Sequence, residues 1–587
     1  MAESVNGGDP NQPPKELSME VRLLLAFLLM GAVMFLTPYL FKTVAPPPVK
    51  KAAQIAPGPV GTQPQPAAPE AVPAAPVAEK AKAERPARKG APKAAPSAPS
   101  TPQNVEPALI VDTDLFTVAF SNQGATVRSW RLKKYRGNDG KYLELVNVAA
   151  GLEFPFSLYF PDKAPTAKVN WTYYTQTGDP DGLGVAYAFS DGHTSVRKVF
   201  RFQRNSYLLQ VSTEVASDGQ TVPHMIEWRG GFGDFTVAGA VGNQNTLYFD
   251  VTQNKLVEQR ASAAKNGPVT ASGNFSFGGI ADTFFAAVFL PEGNAAMQEA
   301  TFSDTVRTTF EEKPAPFAGA AVSNGPANRF SLFVGPKDVD LLKRVNPKLE
   351  QVVDFGWLAL LAKPLFLIVN WFNSAFVHNF GWSIVVVTIV INFILFPLRL
   401  SNMKSMKKMQ ALKPQIDIIN AKYKNIGLRD PKKADQNQEV MALYKKYGVN
   451  PMGGCVPMLI QLPFFIAFYK VFMVSVEMRG ATWLWVTDLS QPETLPIHVL
   501  PIIMIASQFL MQKMTPQATG DPNQQRMMMF MPLIFGFMFY NFASGLVLYY
   551  LTSNLVGSGQ QWVFNHTALA DAAADAVALP KKKNGRK

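Results

Sequence analysis

Six long apolar stretches constrain the fold of this chain more than any other feature of its 587 residues. Residues 23–41 carry no charge, and their 19 residues suffice to cross about 30 Å of hydrocarbon as a helix. Pro38, Tyr39 and Phe41 fit a cleavage site poorly, which favours an uncleaved anchor that follows a cytoplasmic N-terminus, residues 1–22. The other five stretches are 376–398, 456–474, 497–512, 527–543 and 546–564. The sequence therefore predicts a polytopic α-helical membrane protein with six spans.

The composition excludes several kinds of chemistry. One cysteine rules out a disulfide framework, and the five histidines show no spacing that is typical of a metal site. Charged residues make up only 17%, against about 25% in soluble domains. The net charge of +13 would suit nucleic acid or a membrane surface, but the basic residues lie beside apolar segments. No cofactor, metal, catalytic residue or specific nucleic-acid recognition is predicted.

A linker and a β domain are predicted between the anchor and the helical region. Residues 45–107 contain 16 prolines among 63 positions and no aromatic residue, so they cannot bury enough apolar surface to fold. Residues 108–340 show alternation with period two, which predicts a large β-sandwich. His193 and His224 lie in separate segments of it, without partners at ligand spacing. The clearest alternating run is Tyr207, Leu209, Val211, Thr213 and Val215.

A helical pattern begins at residue 341. Apolar residues recur at near-helical spacing through residues 341–375 with charges between them, which is typical of a helix that lies along a membrane surface. Pro347 and Pro364 are expected to interrupt this helix. Residues 376–564 then hold a core of five helices, and residues 565–587 form a basic tail.

The charges of the loops predict the orientation in the membrane. Residues 399–450 carry 12 lysines and arginines against four acids, whereas residues 475–496 carry one arginine against three acids. The basic loop is therefore expected in the cytoplasm. By parity, the β domain lies on the outer side of the membrane and both termini lie in the cytoplasm. The basic residues of the tail agree with this orientation: Lys581, Lys582, Lys583, Arg586 and Lys587.

The basic loop 399–450 carries two apolar stripes at helical spacing, with a break at residues 425–431 between them. This pattern predicts a cytoplasmic helical hairpin. Its methionines, Met403, Met406 and Met409, are candidates for an adaptable apolar surface that accepts many side-chain shapes. Ordinary core packing is the alternative.

Several polar side chains fall within the predicted spans, where such groups are costly and usually face a protein interior or a water-filled cavity. Thr388 and Asn392 are one turn apart and Arg399 follows seven residues later, so all three are expected on one helix face. Hydrogen bonding between helices would by itself explain any single amide. Lys470 either reaches the outer membrane surface or places its charge inside the cavity.

Two groups of motifs resemble the YidC-type membrane protein insertases. The first is Val449-Asn450-Pro451-Met452-Gly453-Gly454-Cys455 with Ile460-Gln461-Leu462-Pro463-Phe464-Phe465, and the second is Ser544-Gly545-Leu546-Val547-Leu548-Tyr549-Tyr550 with Ser553-Asn554. The likeness covers about residues 350–564 by motif. The anchor, the linker and the external domain match the layout of the Gram-negative members.

The resemblance implies a supersandwich-like β domain and a groove, formed by the five C-terminal helices, that is open to the cytoplasm and to lipid. Hydrophobic segments of nascent proteins enter the inner membrane through such a groove, without an enzymatic reaction. The implied partners are nascent membrane proteins, the ribosome at the basic tail and the Sec translocon, and one groove per chain suits a monomer. The positions that match the groove are Thr388, Gln461, Leu462, Phe465, Tyr549 and Tyr550.

One groove position departs from the family pattern. Asn392 stands where the family usually has a positive charge. Arg399 or Lys470 could compensate for it, or the amide alone could keep the groove hydrated. Two other classes of function stay open at this point: a solute channel or transporter, and an anchored periplasmic enzyme that processes carbohydrate with the β domain.

Overall fold

The computed structural model describes residues 109–147, 152–236, 244–292, 296–306, 314–423, 432–449, 456–515 and 522–575. The expected anchor, linker and hairpin break, and residues 576–587 of the basic tail, lie outside these ranges. Among the described residues, a β-rich part is followed by a helical part.

The β-rich part has 19 strands within the described ranges, and all of their recorded pairings are antiparallel. Three sheets result, with four, ten and five strands, and the long sheet has the order β13-β12-β15-β16-β19-β9-β8-β7-β6 with β10 on β9. The strands are β1 Leu109–Asp112, β2 Phe116–Ser121, β3 Thr126–Arg136, β4 Tyr142–Glu144, β5 Ser157–Tyr159, β6 Thr175–Gly178, β7 Gly184–Ser190, β8 Thr194–Phe202, β9 Leu208–Ser217, β10 Gln220–Thr221, β11 Met225–Trp228, β12 Asn245–Asp250, β13 Lys255–Arg260, β14 Val269–Gly273, β15 Phe275–Ala281, β16 Phe285–Pro291, β17 Met297–Val306, β18 Ala315–Ser323 and β19 Asn328–Pro336.

The alternation predicted for β9 is confirmed. Leu209, Val211, Thr213 and Val215 are all buried, because successive side chains of a strand point to opposite faces of the sheet. The same rule places Phe200 and Phe202 of β8 inside, where both rings contact neighbouring aromatic rings. The β domain therefore has an aromatic core of its own.

A lysine lies within this core. Lys198 has no exposed surface, and its Nζ donates hydrogen bonds of 2.7 Å to the carbonyls of Gly124 and Phe156. Both acceptor residues have a φ of 70°, so the lysine ties together two turns of left-handed backbone. Burial lowers the pKa of Lys198 to about 7, against the opposing effect of Glu227 and Glu153.

The helical part begins directly after β19. Its helices are α1 Val339–Val345, α2 Ala359–Phe372, α3 Phe380–Ile394, α4 Phe396–Lys422, α5 Lys432–Lys446, α6 Val456–Val474, α7 Val499–Met514, α8 Pro522–Phe539, α9 Ser544–Asn565 and α10 Ala568–Asp575. Helix α9 packs against α3, α6 and α7, and α2 packs against α3 and α6. Most side chains of α9 are buried, which makes it the central helix of this part.

Three details differ from the expectation for residues 341–398. Residues 359–377, expected to lie along the membrane surface, form a helix that is long and apolar enough to cross a membrane. Pro364 lies inside α2, so the predicted interruption there is wrong. Proline has no N–H to donate to the carbonyl four residues earlier, and that residue, Leu360, is 93% exposed, so the lost bond does not strand a buried group. The helix expected from residue 376 begins at Phe380, after a π-helical turn and His378 with a φ of 55°.

Length and hydropathy identify few membrane spans among the described residues. Only Ala359–Val377 is long and apolar enough to cross a membrane as one helix, and α3 with α4 would be a second if this pair, bent by 60°, formed one span. Shorter apolar helices are Gln461–Val474, Val499–Met514 and Phe530–Phe539. The six-span arrangement therefore stays a prediction.

Candidate functional site

A polar network joins α3 and α4 to the central helix α9. The Ser553 hydroxyl donates to Oδ1 of Asn392 over 3.3 Å, and Nε2 of Gln560 donates to the backbone carbonyl of Asn392 over 3.2 Å. Oε1 of the same glutamine accepts from Nη1 of Arg399 at 3.1 Å. Gln560 therefore bridges the two positions that the sequence placed on one helix face.

Gly557 makes room for the arginine. A Cβ at this position would lie 2.8 Å from Nη1 of Arg399 and 3.1 Å from Cε of Met511, which are distances that only glycine tolerates without movement. Sequence reasoning missed both Gln560 and Gly557. The signal for Gln560 was available, because it follows Ser553 by the same seven residues that separate Asn392 from Arg399.

The remaining groove candidates form two further groups. Thr388 is fully buried, and its hydroxyl donates to the carbonyl of Ile384 in its own helix at 2.6 Å. The Gln461 amide donates to the Tyr549 hydroxyl, which connects α6 to α9. The Tyr549 ring also stacks on Phe468 of α6, with 4.3 Å between the ring centroids.

The second group is aromatic. The ring of Phe539 at the end of α8 lies 5.5 Å from Phe465 and 5.0 Å from Tyr550, so two of the predicted groove residues meet on one ring. Leu462 is half-buried, three residues before Phe465 on α6. The structure therefore places Tyr550 and Phe465 against the same ring, that of Phe539, while Thr388 bonds within its own helix.

Some buried polar atoms near the network have no hydrogen-bond partner among the described residues. They include Oγ of Ser558 on α9 and Oε1 of Gln508 on α7. The residues next to them are paired: Nδ2 of Asn554 on α9 donates to the Ser507 hydroxyl on α7 at 3.1 Å. Buried acceptors without protein partners are ordinarily satisfied by water, so the polar face of α9 suits a hydrated environment.

Lys470 does not join the polar network. Its side chain lies against Gly356, where an added Cβ would be 3.0 Å from Cε of the lysine. It also interacts electrostatically with Glu258 of β13. Of the two alternatives for Lys470, the structure favours the one in which the charge reaches the end of the helix on the side of the β domain.

The three methionines of the hairpin do not form a free surface. Met409 packs with Leu412 and Ile416 of α4 against Tyr444 of α5, and Met403 packs against Phe564 of α9. Met406 is buried as well. Of the two alternatives for these methionines, the structure favours core packing, because the apolar stripe of α4 closes on α5 and α9 and uses the methionines as core side chains.

A cavity of about 390 Å³ lies on the open face of the long sheet, over β8, β9 and β19. Its charged lining comprises Arg197, Arg201, Arg329, Glu214 and Glu292. No histidine lines it, and Arg201 is occupied by ion pairs with Asp179 and Asp181. This lining gives no support to the carbohydrate-processing alternative, which needs convergent acids and a histidine.

A large antiparallel β domain joined to apolar helices that bury a polar network defines a multi-pass membrane protein with a separate β domain. Residues 109–368 match the family model described as YidC periplasmic domain, and residues 371–571 match the model described as 60Kd inner membrane protein. The chain belongs to the YidC family of membrane protein insertases, which confirms the resemblance seen in the motifs. It is an inner-membrane protein.

Similar proteins span nearly the whole chain. The membrane protein insertase YidC of Geotalea daltonii is 33% identical over 93% of this chain and 99% of its own length. The protein of that name from Syntrophus aciditrophicus is 33% identical over 94% of this chain and 100% of its own length. A crystal structure of an active YidC insertase with its first transmembrane domain resolved covers 79% of this chain and 95% of its own, with 21% identity and a TM-score of 0.35.

Proposed function

We propose that this protein inserts hydrophobic segments of nascent proteins into the inner membrane and assists their folding, through a hydrated groove formed by α3, α6, α7, α8 and α9. It is a binding and transfer device without covalent chemistry. The observation that carries the proposal is the bridge from Asn392 through Gln560 to Arg399, which sets polar groups along one face of the central helix.

Insertion requires that a polar segment of the substrate leave water. Transfer of one unpaired amide into an apolar medium costs about 2–7 kcal/mol, so a groove that keeps water and hydrogen-bonding groups lowers this barrier. The partnerless acceptors of Ser558 and Gln508 support a wet groove. Arg399 supplies a positive charge to the same network, which suits it to replace the charge absent at Asn392.

The apolar part of the substrate needs a different surface. Phe465, Phe539 and Tyr550 provide aromatic rings from three helices, which can pack against side chains of many shapes. Helix α8 exposes Phe537 and Ile534, as expected for a helix that borders lipid. A segment held between the rings and lipid could leave sideways into the bilayer.

The orientation and partners belong to the same proposal. Six spans follow from the apolar stretches, and cytoplasmic termini and a periplasmic β domain follow from the loop charges. The basic tail 565–587 would contact the ribosome. Nascent membrane proteins are the substrates, alone or beside the Sec translocon. One chain carries a complete set of groove residues, which suits a monomer.

Photocrosslinking from Thr388, Phe465 and Tyr550 to a stalled nascent membrane protein tests the groove. All three positions are expected to give crosslinks to the substrate's hydrophobic segment. A probe at Phe537, which is 84% exposed on α8, is the control and should react mainly with lipid. Equal crosslinking from Phe537 and Phe465 would contradict the proposal.

Removal of the β domain separates the alternatives. A variant that lacks residues 108–320 is expected to retain much of its insertion activity, whereas an enzyme built on this domain would lose all activity. A solute channel would instead show specific solute flux in reconstituted vesicles. Flux without insertion would overturn the insertase function.

Lys470→Met is expected to leave insertion within about twofold of wild type, because its ammonium group faces Gly356 and Glu258 and not the groove. Arg399→Met is the matched comparison, and it should reduce insertion of a substrate with an acidic tail. Insertion rates into vesicles measure both effects. The reverse ranking of the two variants would move the groove charge to Lys470.

A further inference from the structure

The segment that follows α6, residues 475–493, contacts the beginnings of three helices. Trp483 lies against Gly381 at the start of α3, and the Ser544 and Gly545 amides of α9 donate to the carbonyls of Gln491 and Leu489 at 2.8 and 2.9 Å. Glu493 accepts from the Leu500 amide of α7 at 2.8 Å. This end segment, residues 475–493, therefore covers one end of the helical core.

The β domain holds the same end segment through one buried ion pair. Arg479 donates to Asp234, and only 4% and 3% of the two side chains are exposed. Nη2 of the arginine also donates to the backbone carbonyl of Arg136 at 3.0 Å. The guanidinium carbon lies 5.4 Å and 5.8 Å from the ring centres of Phe284 and Phe285, within the range of cation–π attraction.

The acidic partner is fixed by the β domain itself. The Asp234 amide donates to the Asp282 carboxylate at 2.8 Å, and Asp282 accepts further bonds from the amides of Phe284 and Phe285. Asp234 in turn accepts from both the amide and the hydroxyl of Thr236. Hydrogen bonds within the β domain therefore fix the position of the Asp234 carboxylate, which makes its pairing with Arg479 geometrically specific.

A second carboxyl, Glu477, is half-buried two residues before Arg479. Burial raises the pKa of Glu477 to about 7, and Asp338 and Asp340 act in the same direction. Much of this group is therefore uncharged at neutral pH, which limits the cost of burying it close to two acids. The end segment can then lie against the β domain without a strong repulsion.

We infer that Arg479 and Asp234 latch the β domain onto the end segment, so that the domain holds this end of the helical core closed. The physical reason is that both side chains are almost fully buried, so loss of either one leaves the other charge without a partner in the docked state and favours opening. This role of the β domain goes beyond insertion and does not rest on it. It assigns the domain a partner within its own chain.

The test measures how often the end segment opens. Ser475 is buried at the start of the segment, so a Ser475→Cys variant in a Cys455→Ser background reports opening by its reaction with a maleimide in nanodiscs. With Arg479→Gln or Asp234→Asn added, labelling is expected to accelerate about tenfold or more, as for a local opening that loses its main contact. Thr487→Cys, exposed in the same segment, is the control and should react at an unchanged rate.

A conservative variant guards against misfolding of the charge variants. Arg479→Lys, in the Ser475→Cys and Cys455→Ser background, keeps a positive charge opposite Asp234. Slower labelling of Arg479→Lys than of Arg479→Gln would support the latch. Labelling at the rate of the parent Ser475→Cys protein in every variant would overturn it, and this result would leave the insertase function untouched because no substrate is present.

Discussion

Gln560→Leu is expected to reduce insertion of a substrate with a short polar tail by about tenfold or more, the largest functional effect of a single substitution in the helical core. The change removes the acceptor of Arg399 and the donor to the Asn392 carbonyl at once. Each buried polar group that loses its partner costs about 1–3 kcal/mol, and about 1.4 kcal/mol corresponds to a factor of ten. Insertion into vesicles of defined composition measures the effect.

The neighbouring glutamine is the matched control. Gln561 is also buried, but its Nε2 donates to Asn565 within its own helix at 2.9 Å. Gln561→Leu replaces the same polar side chain by the same apolar one, and it is therefore expected to reduce insertion much less. Equal losses in the two variants would show that α9 tolerates no leucine here for packing reasons, and the bridging role of Gln560 would be wrong.

Asn392→Leu separates hydration from bridging. It removes the side chain that bonds Ser553 but leaves the backbone carbonyl that accepts from Gln560. A moderate loss of insertion is expected. If this variant inserts a short-tailed substrate as well as wild type does, Asn392 has no part in hydrating the groove.

Asp304→Ala is expected to destabilise the β domain by about 3–5 kcal/mol, because it leaves a half-buried guanidinium without its partner. Asp304 has almost no exposed side-chain surface, accepts two bonds from Nε and Nη2 of Arg229, and also accepts from the Gly230 amide at 2.8 Å. Glu227 lies 3.6 Å from the same arginine, but burial raises the pKa of its carboxyl, so it replaces the charge of Asp304 only weakly. Hydrogen exchange of the amides in β17 and β18 measures the loss.

Asp218→Ala serves as the comparison for Asp304→Ala. Asp218 also pairs with a basic group, His193, but both side chains are largely exposed, and exposed pairs contribute little. Exchange in the long sheet should stay as in wild type. Similar destabilisation by the two substitutions would mean that burial does not set the strength of the Arg229 pair.

Sequence reasoning predicted some elements of the structure correctly and others not. In β9 the period-two pattern located the buried face correctly. The side chains of a strand alternate between two faces, so the apolar set identifies which of the two is buried. In α4 the apolar stripe predicted a hairpin helix, but the choice between a free methionine surface and a core needed the positions of α5 and α9. For Pro364 the local rule was too strict, because it did not include the exposure of Leu360.

The sequence by itself determined the family, the order of the β-rich and helical parts, and the choice of Asn392 and Arg399 as a pair of polar positions, although the structure places them on two helices, α3 and α4, that are bent by 60°. These depend on motifs, composition and spacing, which are local properties of the chain. Only the tertiary structure decided that Gln560 joins that pair, that Lys470 turns toward the β domain, and that Arg479 meets Asp234, 245 residues away. Contacts between distant segments depend on how whole helices and sheets pack, and spacing along the chain carries no record of that arrangement.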